Sequence, residues 1–465
     1  MASSVDKQRE NQREQKKCLR LLLFPLPFQG HLSPMLQLAN VLYSRGFSIT
    51  IIHTCFNSPN PSNNPHFTFH SIPDGLSKSE SSRADNIVAL VSLLNTNCAD
   101  PFRDCLTKLL SDVSEEPVAC LISDSTWKFT DAITESLQLP RFVLRTNNVS
   151  SFLALAALPL LQEKGYLPIQ ESQVEAPVLE LPPLKVKDIP AFKTPDQETL
   201  YQTIAGLVKQ TNSCSGTIWN SFEELEHEPL TVLRHDFPVP VFPLGPLHKY
   251  FPVPSSSLLA QDQSSILWLD KQAPKSVIYV SFGSVANIEG AEFLEIAWGL
   301  ANSQQPFLWV VRPGSVNGSE WLEALPNEFL EEISGRGHIV KWAPQQEVLA
   351  HPATGGFWTH NGWNSTLESI CEAVPMICHP CFGDQRVNAR YVSDVWRIGV
   401  HLENRLDRME IARAVRKLLV EAEGQEIRER AVHLQKMADQ CIREGGSSFQ
   451  SLENLISLIL SAPLA

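Results

Sequence analysis

The chain lacks several features that mark common protein classes. It has no apolar run of the roughly 18 residues that a membrane-spanning helix requires. Basic residues number 38 against 51 acidic ones, and the net charge of -13 disfavours binding to nucleic acid or to an anionic membrane. The ten cysteines show no paired spacing over 465 residues, which indicates reduced thiols and predicts a cytoplasmic protein. We therefore expect neither a nucleic-acid partner nor membrane insertion.

Three motif-level absences exclude further classes. The apolar segment LRLLLFPLPF contains Arg20 and two prolines and is followed by no small-residue cleavage site, so no signal peptide is predicted. No Gly-x-Gly-x-x-Gly occurs, which disfavours a nicotinamide-dependent oxidoreductase. Cys378 and Cys381 form one Cys-x-x-Cys without a second pair, so we expect neither a zinc site nor redox activity there.

Short apolar strands alternate with helical patterns over most of the length. This alternation predicts α/β layers with parallel sheets, and the length predicts more than one hydrophobic core. We predict a disordered polar tail over 1–17, an N-terminal domain over 18–245, a Pro- and Ser-rich linker over 246–265, a C-terminal domain over 266–440, and a helix over 441–465 that packs on the N-terminal domain. A ligand would then bind in a cleft between the domains, at the carboxyl ends of the strands.

Two polar residues follow apolar strands in the first half of the chain. His31 follows the strand LRLLLFPLP, and the next helix is predicted to begin with Ser33 as N-cap, to have Pro34 in its first turn, and to stop at Gly46. Asp124 ends the strand VACLISD. His31 is either a general base at a strand end or an ordinary turn residue. Asp124, which lies between this strand and a helix pattern, is in the position of a helix N-cap.

Residues 342 to 385 read WAPQQEVLAHPATGGFWTHNGWNSTLESICEAVPMICHPCFGDQ. This segment resembles the signature of plant family-1 UDP-sugar-dependent glycosyltransferases, and FPLPFQGHLSPMLQLA, VSFGS and FLWVVRP extend the resemblance over nearly the whole chain. The N-terminal half is most similar to the subgroup that contains cytokinin and steviol-glycoside glucosyltransferases. The resemblance implies the GT-B fold, in which two Rossmann-like α/β domains face each other across a cleft. This sequence departs from the family pattern at Asn361, where Cys or Ser is common, and at Ala373, where Gly is usual.

The same segment has the chemistry to bind a UDP-sugar. Asn364 and Ser365 enter a helix, whose free N–H groups and dipole favour a phosphate, and His360 can donate to that phosphate. Glu368 can accept from ribose hydroxyls, and Trp342 offers a face on which uracil can stack. Taken singly, each residue also has a purely structural interpretation: core packing for the Trp, a helix cap for Asn-Ser, a solvated charge for the Glu. The resemblance implies a donor site of Ser284, Trp342, Ala343, Gln345, His360, Trp363, Asn364, Ser365, Glu368, Asp384, Gln385 and Thr146.

The resemblance also implies a mechanism. His31 removes a proton from the acceptor hydroxyl, Asp124 orients the imidazole, and Thr146 contacts the 6-hydroxyl of the sugar. Transfer then proceeds by a single displacement with inversion and gives a β-glycoside. No Asp-x-Asp occurs, so we expect no metal ion at the diphosphate. We also expect UDP-glucose as the co-substrate, no cofactor, and a monomeric enzyme.

The acceptor is less sharply defined by the sequence. Gln385 is associated with glucose in the family, and the acceptor is expected to be a small, largely apolar plant metabolite such as a terpenoid, a phenolic compound or a related glycoside. Its apolar body could contact Leu90, Leu93, Phe152 and Phe192, although the same residues could be core. A UDP-sugar epimerase or a non-catalytic UDP-sugar-binding protein of the same fold is the alternative.

Overall fold

The structure is a computed structural model that describes residues 19–77, 87–191, 197–251, 257–317, 319–403 and 405–462. These residues form two compact units. Unit 1 takes the described residues within 1–149, 194–258 and 440–465, and unit 2 takes those within 150–193 and 259–439. The division after residue 258 falls inside the predicted linker. The predicted tail over 1–17 lies outside the described residues.

The segment 150–193 differs from the prediction, because it belongs to unit 2 rather than to a continuous N-terminal domain over 18–245. Asp188 of this segment pairs with Arg390, 202 positions further along the chain, at 2.8 Å, and both side chains are 2% exposed. A contact between residues so far apart in sequence leaves no mark on local hydrophobic periodicity, so the sequence pattern could not indicate it.

Unit 1 is built on a seven-stranded parallel sheet in the order β3-β2-β1-β4-β5-β6-β7. Its strands are β1 Arg20–Phe24, β2 Ser48–Thr54, β3 Thr68–Ile72, β4 Val118–Asp124, β5 Arg141–Arg145, β6 Gly216–Trp219 and β7 Val241–Pro243. Strands β1, β4, β5 and β6 are buried along their whole length, as expected for continuous apolar runs in a parallel sheet with both faces covered. The strand order reverses between β1 and β4.

Unit 2 has a six-stranded parallel sheet in the order β10-β9-β8-β11-β12-β13. Its strands are β8 Val277–Ser281, β9 Phe307–Val310, β10 Gly337–Val340, β11 Thr354–Thr359, β12 Met376–Cys378 and β13 Gly399–His401. Here the order reverses between β8 and β11. Ligands of open α/β sheets bind outside the carboxyl ends of the strands at such a reversal, so the topology marks one position in each unit.

Helices cover both sheets, which confirms the predicted α/β class. They are α1 Gln29–Ser44, α2 Ile87–Asn97, α3 Ala99–Ser111, α4 Thr130–Ser136, α5 Val149–Ala156, α6 Leu158–Glu163, α7 Gln197–Lys209, α8 His227–Asp236, α9 Ser264–Leu269, α10 Gly290–Ser303, α11 Asn327–Glu332, α12 Gln345–Ala350, α13 Trp363–Cys371, α14 Gln385–Arg390, α15 Arg408–Leu419, α16 Ala422–Cys441 and α17 Ser447–Ser461. Leu452, Leu455 and Ile456 of α17 join the unit 1 core. None of the helices in the described ranges combines the length and the apolar character that crossing a membrane demands.

The start of α1 differs from the prediction. The helix begins at Gln29 rather than after Ser33, with the extended Phe28 as its N-cap, and the N–H groups of His31 and Leu32 donate to the Phe28 carbonyl at 2.9 and 2.8 Å. The predicted cap is wrong because Pro34, although it lacks an N–H, is tolerated inside the helix. Proline at position 34 leaves the carbonyl of Gly30, four residues earlier, without its helical hydrogen bond. Gly30 is exposed, so water can bond to that carbonyl instead. His31 therefore lies in the first turn of a helix.

Candidate active site

His31 and Asp124 meet at the strand-order reversal of unit 1. His31 follows β1, Asp124 is the last residue of the neighbouring β4, and His31 Nδ1 lies 2.7 Å from Asp124 Oδ2. The Asp124 side chain is fully buried, whereas the imidazole is 29% exposed. A hydrogen bond from Nδ1–H to the carboxylate selects the tautomer in which Nε2 carries the lone pair. The pair can therefore present a base to a bound molecule.

The second carboxylate oxygen of Asp124 is held by its own loop. The Thr126 N–H donates to Oδ1 at 2.9 Å, which makes a local turn, and the next helix begins only at Thr130. The alternative prediction that Asp124 is a helix N-cap is thus wrong. Burial alone would raise the pKa of Asp124, but the charge of His31 and the hydrogen bonds from His31 and Thr126 outweigh it and hold that pKa below its usual value.

Thr146 completes a three-residue cluster. It directly follows β5, the neighbour of β4, and its Oγ1 lies 3.1 Å from His31 Nδ1. The structure therefore places Thr146 in unit 1 beside the imidazole. Two half-buried aromatic rings lie close by: Phe28 is 6.5 Å from His31 between ring centroids, and Phe56 is 6.2 Å from Phe28. Sequence reasoning missed both phenylalanines, because lone aromatic residues after strands are usually core.

The donor residues predicted in unit 2 follow neighbouring strands of its sheet. Ser284 lies in the loop after β8, His360 in the loop after β11 and Asp384 in the loop after β12. Because all strands are parallel, the three loops share the carboxyl edge of the sheet, beside the order reversal. Helix α13 begins at Trp363 in the loop from β11, with Gly362 as its N-cap, so its first N–H groups belong to this edge.

His360 packs against two glycines. A Cβ at Gly283 would lie 2.6 Å from His360 Nε2 and one at Gly362 would lie 2.5 Å from it, so neither position has room for a side chain. Burial and the neighbouring His379 lower the pKa of His360 to about 4, so the ring is neutral at pH 7. Its Nδ1 is buried and has no hydrogen-bond partner within the described part of the chain. A phosphate oxygen is a suitable acceptor for a neutral imidazole N–H.

Gln345, Ser365 and Glu368 form a second cluster in unit 2. Gln345 Nε2 lies 3.0 Å from Ser365 Oγ and 2.7 Å from Glu368 Oε2. Gln346, which sequence reasoning missed, donates to Glu368 Oε1 at 2.8 Å and so orients the other carboxylate oxygen. Burial raises the pKa of Glu368 above its usual value, although the hydrogen bonds from both glutamines oppose the shift. With both carboxylate oxygens held in place, Glu368 can accept hydrogen bonds from two neighbouring hydroxyl groups.

Asp384 and Gln385 begin α14, with Asp384 as its N-cap residue. Gln385 is 4% exposed, and its Oε1 accepts from the N–H groups of Cys381 and Phe382 at 2.9 and 3.1 Å. The amide nitrogen of Gln385 is therefore the end that can donate to a sugar hydroxyl. Asp384 Oδ2 accepts from Asn388 Nδ2 at 3.2 Å, a contact that the sequence pattern did not single out.

The remaining predicted donor residues surround these clusters. Trp342 follows β10 and is partly exposed, and its carbonyl accepts from the Asp262 N–H at 2.9 Å. Ala343 and Trp363 are buried at 3% exposure, and the Trp363 ring packs 6.2 Å from that of Trp396. Asn364 is partly exposed in the first turn of α13. Trp363 and Ala343 therefore shape the site by packing, with only their backbone groups available to a ligand.

The sequence singled out two further sets of residues, the possible acceptor contacts and the Cys-x-x-Cys motif. Leu90 and Phe152, named as possible acceptor contacts, are core residues at 6% and 0% exposure, whereas Leu93 is half-buried and Phe192 lies outside the described residues. Cys378 accepts a hydrogen bond from Asn361 Nδ2 at 3.3 Å, and burial raises its pKa to about 12. In the described ranges, no three His, Cys, Asp or Glu side chains are grouped to hold a metal ion.

Comparison with known proteins identifies the family of the chain. The family model for UDP-glucoronosyl and UDP-glucosyl transferase matches residues 20–440. UDP-glycosyltransferase 76B1 of Arabidopsis thaliana is 57% identical over 95% of this chain and 98% of its own, and UDP-glycosyltransferase 76G1 of Stevia rebaudiana is 49% identical over 95% and 97%. The structure of Phytolacca americana UGT2 with UDP-2-fluoro-glucose and pterostilbene superposes with a TM-score of 0.77, at 29% identity over 95% of this chain and 99% of that one. The chain therefore belongs to the UDP-glucoronosyl and UDP-glucosyl transferase family, as a plant family-1 enzyme of GT-B fold that transfers a sugar from a UDP-sugar donor.

Proposed function

We propose that this enzyme transfers glucose from UDP-glucose to a hydroxyl group of a small, largely apolar plant metabolite, with inversion, and releases a β-glycoside. The observation that carries the proposal is the 2.7 Å contact between His31 and the buried Asp124 at the order reversal of the unit 1 sheet. A non-catalytic UDP-sugar-binding protein has no need of such a pair, and the match to UDP-glycosyltransferases favours transfer over an epimerase that acts on the UDP-sugar alone.

The pair supplies the base. An alcohol is a weak nucleophile at neutral pH, so its proton must be taken up as the new bond forms. His31 accepts that proton at Nε2, and Asp124 stabilises the imidazolium that results, as the carboxylate does in a Ser-His-Asp triad. Thr146, 3.1 Å from Nδ1, helps to hold the ring and is available to contact the 6-hydroxyl of the sugar.

The burial of Asp124 supports inversion. A retaining double displacement requires a protein nucleophile that attacks the anomeric carbon. Asp124 is fully buried and both of its oxygens are engaged, one by His31 and one by the Thr126 N–H. The carboxylate is therefore placed to orient the base and not to reach the anomeric carbon, which favours a single displacement by the acceptor oxygen.

Unit 2 is proposed to hold the donor and to stabilise the leaving UDP. The N-terminus of α13, Ser365 and the neutral His360 face developing phosphate charge, Glu368 and Gln345 bind the ribose, and Trp342 stacks on uracil. Ser284 adds a hydroxyl from the loop after β8. A helix terminus and hydrogen-bond donors can do this without a metal ion, so we expect turnover to persist in EDTA.

Glucose is proposed from the hexose end of this site. The Gln385 side chain is fixed through its oxygen, so its amide nitrogen points a donor at the sugar, and Asp384 supplies an acceptor beside it. The similar Phytolacca americana UGT2 was solved with UDP-2-fluoro-glucose, which also supports glucose as the transferred sugar.

The acceptor class is proposed from the surroundings of His31. Phe28 lies 6.5 Å from the imidazole and 6.2 Å from Phe56, and this half-buried aromatic pair favours a flat or apolar acceptor body with a hydroxyl at its edge. The UGT2 structure was solved with pterostilbene, and a relative that is 43% identical is named as a flavonol 3-O-glucosyltransferase. A phenolic compound is therefore the first choice and a terpenoid the second. The cytoplasmic location and the monomeric state stay predictions from the sequence.

The test is a transfer assay. Purified protein is incubated with UDP-glucose and a panel of phenolic, flavonoid, terpenoid and cytokinin acceptors, with EDTA present, and products are analysed by mass spectrometry and by the anomeric coupling in NMR. We expect the mass of one hexose to be added to at least one acceptor, in β configuration. Transfer from UDP-galactose or UDP-xylose in preference to UDP-glucose would overturn the sugar assignment, and an α-glycoside would overturn inversion.

A further inference from the structure

Two loops of unit 2 carry different parts of the proposed donor site. The loop between β11 and α13 contains His360, Asn361 and Gly362 and leads into the helix N-terminus that faces the diphosphate. The loop between β12 and α14 ends at Asp384, which is assigned to the hexose. Transfer at the anomeric carbon requires a fixed geometry between the two, because the anomeric carbon lies between the sugar hydroxyls and the departing phosphate.

Asn388 joins these loops. It lies on α14 four residues after Asp384, which places both side chains on the same helix face, and it is fully buried. One side-chain amide, Asn388 Nδ2, lies 2.8 Å from the Asn361 carbonyl and 3.2 Å from Asp384 Oδ2. An amide nitrogen carries two hydrogens, so it can donate to both acceptors at once.

Asn361 is held in an unusual conformation at the other end of this link. Its φ of 60° is in the left-handed region, which asparagine tolerates better than most residues other than glycine. Its N–H donates to Thr359 Oγ1 at 3.1 Å, and its side-chain amide donates to Cys378 Sγ at 3.3 Å, at the end of β12. The departure from the common Cys or Ser at this position therefore adds a second tie between the strands that precede the two loops.

We propose that Asn388 is a positioning residue that fixes the Asp384 carboxylate relative to the diphosphate loop, and that it thereby sets how strongly the enzyme selects the hexose of its donor. The inference rests on the proposed function, because it takes Asp384 as a hexose contact. Asn388 itself does not touch the donor; it acts through Asp384 and through the carbonyl of Asn361.

The test compares UDP with UDP-glucose by titration calorimetry in the unmodified enzyme, Asn388→Ala, Asp384→Ala and the double variant. UDP lacks the hexose, so its Kd is expected to change less than about threefold in all three variants. The Kd of UDP-glucose is expected to rise about tenfold in each single variant. In the double variant it should rise no further, because two residues that act through one contact are not additive.

Two controls separate positioning from general loss of structure. Asn388→Leu keeps a branched side chain of comparable shape, removes the donated hydrogens and adds no charge beside Asp384, so it is expected to reproduce the effect of Asn388→Ala. Ser393→Ala lies in the next turn, where Ser393 Oγ bonds the Ala389 carbonyl at 3.0 Å, and it should leave both Kd values unchanged.

The proposal is overturned if UDP and UDP-glucose weaken by the same factor in the Asn388 variants, or if the effects of the two single variants add in the double variant. These binding measurements need no acceptor. A failure of the transfer assay would therefore refute the proposed function without deciding this inference. A ratio of the UDP-glucose Kd to the UDP Kd that is the same in the variants and the unmodified enzyme would refute this inference and leave the role of His31 unaffected.

Discussion

At the scale of single residues, the backbone conformation of Ala373 is the feature most open to test. It follows α13 with φ at 52°, a region that costs an L-residue about 1–2 kcal/mol and costs glycine little. The family's usual glycine at this position thus has a physical reason. We predict that Ala373→Gly raises the free energy of unfolding of unit 2 by about 1 kcal/mol, measured by urea denaturation.

The matched control for this substitution is Ala412→Gly, inside α15, where the backbone is helical and the methyl group is buried. There the same change should lower the free energy of unfolding by about 1 kcal/mol or more. Destabilisation at Ala373 as well would show that its methyl group contributes more by packing than its conformation costs.

Glu368 provides the second prediction at this scale. Its pKa is raised by burial, so its carboxylate is lost at a higher pH than an exposed glutamate would be. If the carboxylate accepts from the ribose, UDP affinity must fall as the pH drops through that raised pKa. We predict that Glu368→Gln weakens UDP binding about 10- to 100-fold at pH 7, since hydrogen bonds to a charged group contribute about 1.5–3 kcal/mol.

The pH dependence of UDP binding distinguishes this role from a packing role. Calorimetric titrations of UDP between pH 7.5 and 4.5 contain a contribution from the phosphate itself, and Glu368→Gln retains only that contribution. The unmodified enzyme should therefore show the steeper loss of affinity toward acid pH. Parallel profiles for the two proteins would argue against a Glu368–ribose contact.

At the scale of secondary-structure elements, a network of ion pairs around the buried Arg390 holds the described part of the segment 150–193. Arg390 on α14 contacts Asp188 at 2.8 Å, Asp394 at 3.1 Å and Glu403 at 2.9 Å, and its pKa is raised because hydrogen bonds from Arg390 to Glu403 and Asp188 outweigh its burial. Lys187 also contacts Glu403, and Arg386 donates to the Lys187 carbonyl at 3.1 Å. These contacts tie the segment to α14.

We predict an asymmetric response to breaking this pair. Arg390→Met leaves the buried Asp188 without its guanidinium and should lower the free energy of unfolding by about 3–5 kcal/mol. Asp188→Asn leaves Arg390 with Asp394 and Glu403 and should cost less than half as much. Urea denaturation of the two variants decides the order. Equal losses would mean that the remaining carboxylates do not compensate Arg390.

The sequence predicted most elements but not the contacts between distant ones. The apolar runs LRLLLFPLP and VACLISD predicted strands that the structure confirms as β1 and β4. Local patterns record which residues are buried within one element. They do not record the partner, and so the Asp188–Arg390 pair and the assignment of 150–193 to unit 2 were not predicted.

The same distinction holds for the site. Strand ends pointed to His31 and Asp124, because polar residues that follow neighbouring parallel strands must meet at one edge of the sheet. Gln346, Asn388 and Phe56 were missed, since an amide on a helix or an aromatic residue in a loop has no pattern that separates a site from a surface or a core. These three residues could be linked to the site only from interatomic distances in the structure.

At the scale of the whole molecule, four largely desolvated histidines make stability depend on pH. Burial lowers the pKa of His248 to about 3 and those of His360, His379 and His401 to about 4. In the unfolded chain these residues take up protons near a pH of about 6.5, whereas in the folded protein they remain neutral. The unfolded state therefore binds more protons between about pH 6.5 and 4, and stability falls as the pH is lowered through that window.

We predict that the free energy of unfolding in urea decreases from pH 7 to pH 5, with a slope of at most about 1.4 kcal/mol per pH unit for each histidine. The raised pKa of Glu368 makes the folded state bind more protons and so opposes this trend, but it is one group against the four histidines. His248→Leu removes one partly buried imidazole in unit 1 and should reduce the slope. Stability that is constant between pH 7 and pH 5 would contradict this account.

The central claim concerns His31 as the base, and the rate constant for glucosyl transfer tests it most directly. With UDP-glucose and a phenolic acceptor at saturation, His31→Ala should lower kcat about 10²–10⁴-fold, while the Kd of UDP changes less than about twofold. His235→Ala, which removes an exposed imidazole 87% open to solvent, is the matched control and should leave kcat unchanged. A His31→Ala enzyme that keeps kcat within a factor of about ten of the unmodified protein would show that His31 is only a residue of the first turn of α1.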